Sequence, residues 1–160
     1  MQIRDVMTKN PVVVPVEAPI REAARLLRTY RIGGLPVMKG DHIEGVITES
    51  DVLSLLDTGN LSDDLWLPSP LEIIEVPIRE FINWERTKNA LSDIGDMPVG
   101  EVMSSPAITI AEDADIEAAA ALMLREGIAR LPVVRERQLV GIVTRADIVR
   151  GVGAGAEESA

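Results

Sequence analysis

Two short stretches carry the residue types best suited to chemistry. Gly45-Val46-Ile47-Thr48-Glu49-Ser50-Asp51 and Gly141-Ile142-Val143-Thr144-Arg145-Ala146-Asp147 both read G-x-x-T-x-x-D. In each, the threonine stands where a strand pattern gives way to a helix. Unpaired N–H groups and the positive end of the helix dipole collect at such a point, which makes it a ready anion site. The hydroxyl can add a hydrogen bond to a phosphate or sugar oxygen. The aspartate, one turn on, brings a carboxylate suited to a vicinal diol, the way an acidic residue reads a ribose in other nucleotide folds. The same spacing is that of a capping box, in which the threonine caps the helix and the acid reaches back. Recurrence in one register favours binding, although a duplication would copy a cap as well.

The rest of the composition narrows the choice. The chain has 160 residues, no cysteine and a single histidine, His42. Disulfides, thiol nucleophiles and thiolate metal sites are excluded, as are multi-histidine metal centres. No Ser/His/Asp order, P-loop or metal motif is present, and His42 falls in a hairpin pattern. The chain is therefore expected not to be an enzyme and to need no catalytic cofactor. The net charge of −10 argues against general nucleic-acid binding, which needs a basic face. No apolar run is long enough for a membrane helix, and the charged start lacks a signal-peptide core, so a cytoplasmic location is expected.

The elements that must position these turns come from a repeat. Shifted by 96 residues, 6–53 and 102–149 align without a gap and share 14 of 48 residues. Each copy reads β-α-β-β-α. Val12-Val13-Val14 and Ala107 to Ile110 are the predicted first strands. The amphipathic helices carry Ile20, Ala23, Ala24, Leu27 and Tyr30, or Ile116, Ala119, Ala120 and Met123, at helical spacing. Pro19 suits the first turn of the first helix; Asp115 is a candidate N-cap and Gly127 a candidate stop in the second. Strands Leu35 to Met38 and Ile43 to Thr48 follow, matched by Leu131 to Val134 and Leu139 to Thr144. Polar hairpins join each pair, and helices Glu49 to Leu56 and Arg145 to Arg150 close the copies.

The charge is uneven. Residues 1–55 are neutral overall, 56–98 hold −6 and 99–160 hold −4. Trp66, Phe81 and Trp84 all lie in the middle segment, where 77–91 is predicted helical. That segment is long for a plain connection and is expected to pack on its own chain or on a partner. The division expected is repeat 1 over 1–56, linker 57–96, repeat 2 over 97–152 and a flexible tail 153–160.

These features together resemble a tandem pair of CBS (cystathionine-beta-synthase) domains. The resemblance rests on the V-M-T/S entries at 6–8 and 102–104, the Ala-rich helix, Leu-Pro-Val at 35–37 and 131–133, and both G-x-x-T-x-x-D turns. The middle segment is similar to the linker of some stand-alone archaeal CBS proteins. The chain is also similar to the CBS insert of inosine-monophosphate dehydrogenase, without the catalytic barrel. The resemblance implies an α/β (α+β) fold of two pseudo-symmetric repeats packed sheet to sheet, with two clefts at their interface and dimers of such pairs. It also implies adenosyl ligands: AMP, ADP, ATP, or S-adenosylmethionine and methylthioadenosine. Carried over, Thr48 and Asp51 serve one cleft, and Thr144 and Asp147 the other, at ribose and phosphate. The base is expected beside Asn10, Pro11 and Val12 with Ile32 and Gly34, or beside Pro106 and Ala107 with Ile128 and Arg130.

Arg130 is matched by Gly34, and Arg145 by Glu49. The second cleft is therefore expected to hold two guanidiniums and to prefer a phosphorylated ligand, since Arg suits bidentate phosphate recognition. The expected function is a regulatory sensor that relays occupancy to another protein. A Mg²⁺ sensor or a dimerising scaffold is the alternative, the acidic middle segment offering carboxylate oxygens.

Overall fold

A computed structural model describes residues 1–56 and 91–158. The element order is α1 (Ile3–Val6), β1 (Thr8–Lys9), β2 (Val14–Pro15), α2 (Ile20–Tyr30), β3 (Gly34–Lys39), β4 (His42–Thr48) and α3 (Glu49–Leu56). Residues 91–96 are helical, and a 3₁₀ turn spans Val99–Glu101. Then come β5 (Ile110–Ala111), α4 (Ile116–Glu126), β6 (Arg130–Arg135), β7 (Gln138–Thr144) and α5 (Arg145–Glu158). One sheet has the order β2-β3-β4 and the other β1-β7-β6-β5. The predicted helix 77–91 and the aromatic residues of the middle segment lie outside the described residues, apart from Leu91, which is exposed.

The helical periodicity acts as its spacing predicts. Ile20, Ala23 and Leu27 of α2 are buried, as are Ile116, Ala119 and Met123 of α4. Tyr30, predicted on that face, is 55% exposed, because α2 ends beside it at Arg31, whose φ of 52° turns the chain left-handed. Gly127 makes the same turn without strain at φ 66°. Pro19 stands one position earlier than predicted, as the N-cap of α2. Asp115 is the N-cap of α4, but its side chain makes no capping bond.

The strand pattern is shifted at the first strand of each copy. Only Val14–Pro15 and Ile110–Ala111 pair, in parallel, with Val37–Met38 and Val133–Val134. The apolar run at Val12–Val14 reads as a strand, yet Val12 and Val13 have no strand partner. Because β2 reaches only Val37 and Met38, Pro36 lies where β3 has no neighbour on that side, and its missing N–H costs no ladder bond. The final helix runs on through Glu158, where the pattern predicts a stop at Arg150 and a frayed tail. Gly151 explains this: it is buried, and a Cβ there would sit 2.9 Å from Val6 and 3.0 Å from Met1. Gly151, which weakens the helix by propensity, lets it lie against the N-terminal segment.

The two repeats exchange their opening segments. Ile3 is fully buried in the core of the second repeat, with Ile110, Ile116, Leu131 and Val143. Val99 is fully buried in the core of the first, with Val14, Ile20, Leu35 and Ile47. The backbone bonds match across the 96-residue shift. Ile3 N donates to Ala114 O at 2.9 Å, and Val99 N to Ala18 O at 2.8 Å; Arg4 N donates to Glu112 O, and Gly100 N to Val16 O, both at 2.9 Å. Strand β1 then pairs with β7, Thr8 opposite Ile142, while Ser104 and Val46 exchange two bonds of 3.0 Å. Each buried aliphatic anchor contributes about 1.5–3 kcal/mol. The halves are thus interlocked, and neither core is complete without the other.

One ion pair lies beside this join, within the second repeat. Arg135 Nη2 donates to Glu112 Oε2 at 2.8 Å, and Nε to Oε1. Those bonds hold the Glu112 carboxyl below its ordinary value against the opposing pull of burial, with Arg135, Arg4 and Lys9 adding charge attraction. A lowered folded pKa contributes stability that is present above the unfolded value near 4.5 and is lost as pH falls through the folded one. Urea midpoints from pH 7 to pH 3 are expected to fall less steeply below about 4.5 in Glu112→Gln than in the parent chain. Parallel acid limbs would show that the pair is not linked to folding.

Candidate functional site

The strand-to-helix turns fold as full capping boxes. Thr48 N donates to Asp51 Oδ2 at 2.9 Å, and Asp51 N to Thr48 Oγ1 at 3.2 Å; Thr144 and Asp147 repeat both distances. The cap and the candidate site are therefore the same residues. What differs is the carboxylate oxygen left over. Arg150 Nη2 donates to Asp147 Oδ1, and Asp147 is only 5% exposed. The position matching Arg150 is Ser54, which turns away to donate to Ser50 O at 2.8 Å. Asp51 is half-buried, and its Oδ1 has no donor among the described residues. The two aspartates, equivalent in sequence, are not equivalent in readiness for a ligand.

Beside Thr48 lies a cavity of about 330 Å³, at the small end of ligand sites. One wall is the α3 turn with Thr48, Glu49 and Ser50; the facing wall belongs to the second repeat. Pro106, Ala107, Ile128 and Arg130, all sequence candidates, line that wall, and the hydrogen-bonded pair Val46 and Ser104 lies between the two. The cleft is thus built across the repeats. Gly33, Ser50, Ser104 and Ile108 also line it and were not candidates; the V-M-S entry is the one signal that could have pointed to Ser104.

Arg130 corrects the sequence expectation. The 96-residue match groups it with Arg145 beside Asp147. Instead its side chain lies over Gly33 and Gly34 of the first repeat, in the cavity with Thr48 and Glu49. A Cβ on Gly33 would lie 2.5 Å from its Nη2, and one on Gly34 2.6 Å from its Cδ. Gly34, expected beside a base, is the bed of this side chain. Burial pushes the Arg130 guanidinium down, while Glu49 and Asp51 pull it back up. It makes no hydrogen bond or ion pair among the described residues. Arg145 is exposed, its Nε donating to Ile128 O at 3.1 Å.

Asn10, Pro11, Val12, Ile32, Gly34, Asp51, Thr144, Arg145 and Asp147 are not among the residues lining this cavity, although Asp51 caps the turn that forms its Thr48 wall. Asn10 has a φ of 49°, and its N–H reaches Val140 O at 3.4 Å, beside β7, the strand that leads to Thr144. Among the described residues no group of three or more carboxylates and histidines is placed to hold a metal ion, and no helix is long and apolar enough to cross a membrane.

Two interlocked α+β repeats, each ending in a Thr/Asp-capped helix and enclosing a cleft between them, define a paired-repeat binding fold. The family model for the CBS domain matches at residues 3–58 and 99–154, and the chain belongs to that family. An uncharacterised protein of Methanocaldococcus jannaschii is 38% identical over 154 residues, spanning 95% of this chain and 91% of its own. The crystal structure of CBSX2 in complex with AMP has a TM-score of 0.67 at 25% identity, covering 96% of both chains. The CBS domain pair of protein MJ0100, in complex with 5′-methylthioadenosine and S-adenosyl-L-methionine, has a TM-score of 0.70 at 24% identity over 97% of this chain and 98% of its own, and is alike in fold.

Proposed function

We propose that this chain is a non-catalytic regulatory module that binds an adenosyl ligand between its two CBS repeats and relays occupancy to a partner protein. The observation that carries the reading is the inter-repeat cavity, which brings Thr48, Glu49 and Ser50 of one repeat, at the turn that Asp51 caps, to Pro106, Ala107, Ile128 and Arg130 of the other. Asp51 Oδ1, without a donor among the described residues, suits a ribose hydroxyl, the apolar wall suits a base, and Arg130 suits an anionic group. The complex of CBSX2 with AMP supports the ligand class. Because the two walls come from different repeats, a ligand touching both favours one relative packing of the halves, which is what a relay requires. A homodimer of such pairs is part of the proposal; Leu53 and Val149, at matching positions on α3 and α5, expose apolar surface for it.

Thermal melting with AMP, ADP, ATP, S-adenosylmethionine and methylthioadenosine tests the reading. At a hundred times its Kd a ligand adds about 2.7 kcal/mol, or roughly 5–10 °C in Tm for a chain of this size. No shift with any of the five would overturn it, and a shift with Mg²⁺ alone would put a cation sensor in its place.

A further inference from the structure

Arg130 and Glu49 face one cleft from opposite repeats, and neither charge is paired among the described residues. Arg130 is half-buried and without an acceptor among the described residues, an arrangement that leaves a guanidinium short of a counter-charge. Its place is prepared. Gly33 and Gly34 are the residues that admit it, since a Cβ on either would meet the side chain at 2.5–2.6 Å. Glu49 stands at the start of α3, and its Oε2 lies 3.9 Å from that same Gly33 Cβ position. It lines the cavity without making an ion pair with Arg130. Asp51, one turn away, adds a second carboxylate whose charge acts on Arg130, but of the two only Glu49 lines the cavity. At the matching position the other repeat carries Arg145.

A single guanidinium can pair bidentately with a single terminal phosphate and offset part of its charge. Each further phosphate adds negative charge at the side of the cavity that Glu49 lines. Glu49 is exposed, so solvent screens part of the repulsion between these like charges, and what remains sets a preference. The geometry points to Glu49 as a specificity-determining residue that limits the Thr48 cleft to a singly phosphorylated nucleoside: Arg130 admits one phosphate and Glu49 turns away a chain of them. This deepens the proposed adenosyl-binding function and rests on it. It also reverses the expectation from sequence, in which the cleft with Thr48 was the less suited to a phosphate.

Calorimetric titration of adenosine, AMP and ATP into the full chain, Arg130→Gln and Glu49→Gln tests the assignment. The Ala107→Trp variant, which fills this cleft, identifies its share of each isotherm. In the parent chain AMP is expected to bind about tenfold more tightly than adenosine, and ATP more weakly than AMP. Arg130→Gln is expected to bring AMP and adenosine to within about twofold of each other. Glu49→Gln is expected to shift the ATP-to-AMP preference by about fivefold or more toward ATP. Unchanged preference in Glu49→Gln, or an AMP advantage that survives Arg130→Gln, would overturn the inference while leaving the adenosyl site in place. A parent chain that binds none of the three would overturn the proposed function itself, and the inference with it.

Discussion

Asp51→Ala is expected to weaken adenosyl binding about 100-fold, and Asp147→Ala to leave binding at the Thr48 cleft within about threefold of the parent. The difference follows from what each carboxylate already does. Both aspartates use Oδ2 to cap their own helix. Asp51 Oδ1 has no donor among the described residues, and a ribose diol donating to it would form one or two charge-assisted bonds of roughly 1.5–3 kcal/mol each. A loss of about 2.8 kcal/mol is a hundredfold in Kd. Asp147 is buried, and its Oδ1 already accepts from Arg150. Its removal leaves Thr144 N and Arg150 without their acceptor and is expected to cost about 1–2 kcal/mol of stability, as lost caps do. Titration of AMP beside urea denaturation of both variants separates the two effects. Equal binding losses, or a larger one in Asp147→Ala, would mean that the Arg150 contact does not distinguish the sites.

Gly45→Ala is expected to destabilise the chain by about 3 kcal/mol, a fall of roughly 6–12 °C in Tm. A Cβ at this buried position falls against the Ser104 carbonyl oxygen and lies 2.8 Å from Met103 Sδ. The carbonyl belongs to the backbone that exchanges two hydrogen bonds with Val46, so it cannot yield without parting the repeats. Gly141→Ala is the mirror case, its Cβ 2.8 Å from Thr8 O and 2.6 Å from Met7 Sδ. The thioether can swing aside but the carbonyl cannot. Gly153→Ala is the control: it lies in α5 with nothing within 4 Å of its Cβ position, and helix propensity predicts a gain of about 0.5–1 kcal/mol. Calorimetric melting of the three variants decides the matter, and a Gly45→Ala chain within 1 kcal/mol of the parent would show that the interlock is loose. The first glycine of G-x-x-T-x-x-D and the methionine of V-M-T/S therefore belong to one contact, made twice and each time between repeats.

The duplication, the element order, the helix faces and the identity of the capped turns were legible in the residues, because periodicity and capping are local. Helix α3 falls at the predicted Glu49–Leu56, and the strands around Leu-Pro-Val agree with expectation to within a residue or so. The first strands were misread because an apolar run at Val12–Val14 does not say how many of its residues find a partner. The last helix was cut short because glycine lowers helix propensity in isolation, whereas at Gly151 it permits packing.

What sequence by itself determined is that two like-built turns, each with a threonine and an aspartate, stand at the start of a helix in two copies of one unit. Only the tertiary structure decided which residues face which turn. The opening segments cross to the other repeat, the Thr48 cleft draws its walls from both copies, and a residue-by-residue match between copies groups the wrong partners. Arg130 lies with Glu49 over Gly33 and Gly34, and Arg150 holds one aspartate while Ser54 leaves the other open. Those relations depend on long-range packing and on single side chains that the repeat does not preserve, and no local pattern encodes them.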